Sequence, residues 1–110
     1  RGYYYFRNVG DRLLVGGGRH LDREGESTDR FGHSPLVQKN LLELTRNVLL
    51  PHVRWEPESW WSGILGIGPQ KRPIIKMIAP GIGVSVRLGG MGVAIGSLVG
   101  EEGAQLLLEN

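Results

Sequence analysis

The sequence predicts an α+β fold with an antiparallel β-hairpin and two main helices. Three observations carry this. Two short apolar runs around a Gly-Asp turn open the chain, an amphipathic repeat at helical spacing fills its middle, and a glycine-rich helical stretch closes it. At 110 residues the chain has the size of one ordinary domain.

The elements follow in order. Gly2 to Val9 carries Tyr3, Tyr4, Tyr5 and Phe6, and "RLLVGG" follows Gly10 and Asp11, the pattern of a β-hairpin. An opening directly on β-forming aromatics is expected of a piece cut from a longer chain. From Arg19 to Gly32 the sequence is polar and non-periodic, which predicts an exposed loop. Its acids Asp22, Glu24, Glu26 and Asp29 are expected to be solvated and not to form a cation site. In "SPLVQKNLLELTRNVLLP", Ser34 is a good N-cap, Pro35 suits the first helical position, and Val37, Leu41, Leu44 and Val48 share one face. A helix over 34–49, stopped by Pro51, is predicted.

"VRWEPESWWSGIL" predicts a strand near 55–65, with Trp60 and Trp61 in a core or at a domain interface. Gly63 to Gly68 is a flexible passage to a short strand and turn in "KRPIIKMIAPGIG". Val84 to Leu88 alternates like a strand. Met91 to Leu108 reads as a long helix whose far end sets Ala104, Leu107 and Leu108 against Glu101, Glu102 and Gln105. The predicted order is β-β-α-β-β-β-α, without internal repeats.

Composition narrows the function. Hydrophobic residues make up 40% and charged residues 22%, as in a soluble globular chain. The formal net charge of +2 is too weak and too scattered to indicate nucleic acid. No cysteine is present, so disulfides, thiolate chemistry and cysteine-ligated zinc are excluded, and a cytoplasmic location is expected. Near the glycines, the uncharged run from Leu88 to Gly100 is far shorter than the about 20 residues a membrane span needs, so no span is expected. His20, His33 and His52 lack ligand spacing and are expected at the surface; no metal site and no catalytic residue is assigned.

Glycine is the anomaly: 18 of 110 residues, about twice the usual ~7%. "RLGGMGVAIGSLVG", Arg87 to Gly100, places a strand, then glycines, then a helix, which aims unpaired backbone N–H groups at an anionic or electron-rich ligand. The dinucleotide fingerprint is broken, because Ile95 stands where the third glycine belongs and Gly96 comes one residue late. That disfavours a free-standing NAD-binding domain, and the lack of Gly-Lys-Ser/Thr excludes a P-loop. Gly92, Gly96, Gly100 and Gly103 lie on one helical face. Each interior glycine costs about 1 kcal/mol relative to alanine, so close packing along that face is expected to offset roughly 3 kcal/mol or more.

Taken in series, "YYYFRNVGDRLLVGGG", the helix ending in "LLP", "WWSGILGIGPQKRPII" and "VRLGGMGVAIGSLVGEEGAQLL" resemble the carboxy-terminal third of FAD-dependent oxidases of the D-amino acid oxidase, glycine oxidase and sarcosine oxidase family. The resemblance spans nearly the whole chain and rests on the order of weak motifs: Trp61-x-Gly63, Pro73-Ile74 and Gly90-x-Gly92. It implies a fragment of an interleaved FAD-domain plus substrate-domain fold. Residues 1–68 would belong to the substrate domain, and 69–110 would supply the last strand and helix of the FAD domain. It also implies that Gly89, Gly90, Met91, Gly92 and Val93 lie beside the pyrimidine edge of the flavin. Tyr3, Tyr5 and Arg87 become candidates for the substrate side.

Departures bear on the substrate. Many amino-acid-oxidising relatives carry an arginine just after the tryptophan-x-glycine segment, where this chain has Leu65, so a bidentate carboxylate clamp is missing there. A histidine or similar residue before the glycines is Leu88 here. The amino-terminal G-x-G-x-x-G unit that grips the ADP half of FAD does not occur in these residues. The expectation is the carboxy-terminal part of a FAD-dependent oxidoreductase acting on a small amine or amino-acid-like substrate, inactive alone and prone to self-association through exposed strand edges. The alternative is a small non-catalytic binding or interaction module whose glycines serve helix packing only.

Overall fold

A computed structural model describes residues 3–110; Arg1 and Gly2 of the expected hairpin lie outside the described residues. The chain forms two compact units, Arg1–Ile64 and Leu65–Asn110. Each contains a two-stranded antiparallel sheet and a longer helix, which together make the α+β fold expected from the sequence. The division between these units falls after Ile64.

In the first unit, β1 (Tyr4–Val9) pairs with β2 (Arg12–Gly17) from Tyr4↔Gly17 to Val9↔Arg12. Gly10 makes the turn at φ 63, a conformation glycine adopts without steric cost. Opposed residues share a face, so Tyr5 lies with Gly16, and its ring fills the space a Gly16 side chain would need. Tyr4 points the other way. Its hydroxyl donates to Asn40 Oδ1 at 2.5 Å, and its ring meets His20 edge-on at 5.6 Å.

The expected loop from Arg19 to Gly32 is partly helical. A 3-10 turn (Arg19–Leu21) leads into α1 (Arg23–Glu26), because the Asp22 side chain accepts from Gly25 N–H at 3.1 Å. The same carboxylate accepts the Ser34 hydroxyl at 2.6 Å, so Asp22 ties the loop to the next helix instead of being simply solvated. His20 is half-buried, contrary to its expected surface position, since its ring meets Tyr4 edge to face.

Helix α2 (Pro35–Leu44) starts as its sequence predicts, with Ser34 Oγ accepting from Val37 N–H and Pro35 in the first turn. It then loosens into one π-turn (Thr45–Leu49), closed by Leu50 N–H on Thr45 O at 2.8 Å. The wider turn rotates the apolar stripe. Thr45 is buried, its hydroxyl donating to Leu41 O, and Val48 is 65% exposed.

The strand expected near 55–65 does not form, and residues 53–68 hold no regular secondary structure. Pro57 lacks a ladder donor, and neither two-stranded sheet among the described residues takes this segment as a third strand. The segment is fastened by side chains instead: Trp55 under the Arg46 guanidinium at 5.7 Å, Glu58 paired with Arg12, and the Ser62 hydroxyl on Gly32 O. Trp61 is 68% exposed, so the tryptophan pair does not form a core of this unit.

In the second unit, β3 (Ile74–Ala79) and β4 (Ile82–Val86) form a hairpin with an irregularity between Met77 and Ala79. Helix α3 (Gly92–Leu108) packs on it. The inward stripe is Ile95, Val99, Gly103 and Leu106, with Val99 6% exposed, so Ala104 and Leu108 of the expected apolar face lie outward. Gly103 is seated on Ser85, where any Cβ would strike the serine hydroxyl. Gly96 and Gly100 meet nothing within 4 Å, which corrects the expectation that the whole glycine face is packed. Among the described residues, no helix is long and apolar enough to cross a membrane.

Candidate functional site

The strand end, the glycine turn and the start of α3 lie together in the second unit. Arg87 leaves β4 with φ 63, and Gly89 and Gly90 follow at φ 63 and 83. The left-handed backbone, and not lack of room, requires glycine at 89, since nothing lies within 4 Å of the position its Cβ would take. Met91 N–H donates to Leu88 O at 3.0 Å, reversing the chain, and Met91 becomes the N-cap of α3 without any side-chain cap.

Met91 O then accepts from both Ala94 and Ile95 N–H at 3.0 Å. The N–H groups of Gly90, Gly92 and Val93 have no acceptor among the described residues. Gly92 leaves only Leu88 nearby, 3.4 Å from where a Cβ would be, and the side chains of Met91 and Val93 are exposed. The turn thus presents backbone donors and the positive end of a helix from a surface short of side chains. Such an arrangement stabilises negative charge by about 0.3–2 kcal/mol.

The Gly63–Gly68 stretch, whose composition predicts only a flexible passage, borders this turn. Gly66 O accepts from Gly89 N–H at 3.0 Å, and a Cβ on Gly66 would lie 3.1 Å from Arg87 Cα. Gly68 lies under the Arg87 side chain, 2.7 Å from Cδ measured to its would-be Cβ. The Arg87 Nε donates to Arg72 O at 2.9 Å. The glycine spacing at 66 and 68 was the available signal, because alternate glycines clear one side of an extended segment for a crossing chain.

Arg87 and residues 89–93 are therefore contiguous in space, whereas Tyr3 and Tyr5 belong to the first unit. Both tyrosines are exposed, Tyr3 with the Arg19 guanidinium 6.0 Å from its ring and Tyr5 over Gly16. Among the described residues no group of three or more His, Asp or Glu side chains is placed to hold a metal ion. Comparison with protein-family models, curated proteins and solved structures finds no match to this chain.

Proposed function

We propose that this chain is the carboxy-terminal part of a FAD-dependent oxidoreductase and that Gly89 to Val93 contact the pyrimidine edge of the flavin. The observation carrying the proposal is the uncapped start of α3 behind two left-handed glycines, with the N–H groups of Gly90, Gly92 and Val93 free of acceptors among the described residues. Bound flavin would supply the hydride acceptor for a carbon beside an amine. This chain's part is electrostatic. Its N–H groups and helix end favour electron density on the pyrimidine edge, and about 0.3–2 kcal/mol there corresponds to some tens of millivolts.

A small amine or amino-acid-like molecule is the proposed substrate, and the cytoplasm the proposed location. Arg87 already spends its Nε on the Arg72 carbonyl, so it offers a substrate carboxylate only its terminal nitrogens. The alternative of a module with packing glycines finds support at Gly103 but not at Gly96 or Gly100.

The parent protein is expected to purify yellow with bound FAD, and a colourless parent that takes up no flavin on reconstitution refutes the proposal. The 110-residue chain alone is expected to show no sub-micromolar FAD affinity, since it has no phosphate cradle.

A further inference from the structure

Among the described residues, Arg87 is the one non-glycine residue in the left-handed region. A long side chain persists in such a conformation only where its surroundings hold it. The holding contacts are present: Arg87 Nε donates to Arg72 O, and its side chain covers Gly68. Behind it, Gly66 O receives the Gly89 N–H. Side chains at 66 or 68 would obstruct this crossing, as a Cβ would lie 3.1 Å from Arg87 Cα at the first and 2.8 Å from Nη1 at the second.

We propose that Arg87 is a positioning residue, a latch that holds the Gly66–Gly68 segment against the strand end and thereby aims the N–H groups of Gly90, Gly92 and Val93. The need for a latch follows from the turn itself. Gly89 and Gly90 each have wide conformational freedom, and one backbone hydrogen bond, Gly89 to Gly66, is what anchors the first of them to a neighbouring segment. The aim of the donors rests on the flavin-edge reading; the latch does not.

Arg87→Gly separates the two roles a residue here can have. Glycine suits the left-handed backbone, so the substitution relieves strain while removing the guanidinium and the cover over Gly68. The test uses the 15N-labelled 110-residue chain, with hydrogen exchange at the Gly89 amide and amide shifts on titration with FMN, inorganic phosphate serving as control. In Arg87→Gly, Gly89 exchange is expected to quicken about tenfold, the scale of losing one hydrogen bond, while the β3–β4 amides keep their protection. The FMN-induced shifts of Gly90, Gly92 and Val93 are expected to fall several-fold.

Arg87→Lys, which keeps the charge but not the Nε donor, should match Arg87→Gly at Gly89, and Gly68→Ala should do so from the opposite side of the contact. Unchanged Gly89 exchange in Arg87→Gly overturns the latch. If FMN moves none of these amides in the unmodified chain, or phosphate moves them equally, the flavin reading fails by itself and Gly89 exchange still decides the latch.

Discussion

Gly96→Ala and Gly100→Ala are expected to stabilise the protein, although both glycines lie on the helix face whose spacing predicts close packing. Neither has an atom within 4 Å of the position a Cβ would occupy, and neither is among the glycines with positive φ. Alanine thus meets no obstacle, and the difference in helix propensity is about 0.8–1 kcal/mol per site. Each substitution changes helix propensity alone, so the two together should contribute up to about 2 kcal/mol. Gly103→Ala is expected to gain less than either, since its methyl group has room only if the Ser85 hydroxyl turns aside, Ser85 Cβ lying 3.5 Å from the would-be Cβ. Urea unfolding followed by circular dichroism at the helix band measures all three. With a slope of about 1 kcal/mol/M for so small a protein, the double variant should raise the midpoint by up to about 2 M. A lowered midpoint for Gly100→Ala would contradict this sign, because it would mean that Gly100, exposed here, is covered by another surface in solution.

Three further outcomes follow from local geometry. Gly89→Ala should cost about 1–2 kcal/mol despite the open space around it, because the left-handed backbone alone opposes a side chain; an unchanged urea midpoint would contradict that backbone. Ser34→Ala should cost about 1–2 kcal/mol and lower helix content, since it removes both the cap on Val37 and the partner of Asp22. Tyr4→Phe should cost about 1 kcal/mol by leaving Asn40 without its donor. Tyr5→Phe should be neutral under the same assay, as the Tyr5 hydroxyl forms no hydrogen bond among the described residues.

The parts of the site differ in how they depend on the rest of the fold. The donors at Gly90, Gly92 and Val93 exist because a helix has begun, a local event that the preceding glycines permit. Their direction depends on Gly66 and Arg72, residues far back in the chain that the strand end must meet. A ligand contact made by backbone is therefore sensitive to substitutions that never touch the ligand.

Local rules made much of this legible. The Gly-Asp turn between apolar runs, the Ser34 cap before Pro35, the stop at Pro51 and the helix after Gly90 each depend on residues a few positions apart, and the structure contains them all. Where the sequence misled, the deciding partner was distant. Residues near 55–65 have strand composition around Pro57, but a strand exists only where a neighbour pairs with it, and neither two-stranded sheet takes them up. Val48 fits the helical repeat until the π-turn at Thr45 rotates it outward.

The first hairpin's turn, the starts of the two main helices and the glycine-rich strand-to-helix turn are legible in the residues alone, because turn chemistry, capping and periodicity act over a few positions. Long-range packing sets what lies where each glycine's side chain would be: Ser85 at Gly103, Arg87 at Gly66 and Gly68, and nothing among the described residues at Gly96 and Gly100, while Gly89 is required by its own φ. An absent side chain is the same in every sequence position. What passes through the space it leaves depends on long-range packing, which spacing alone does not encode.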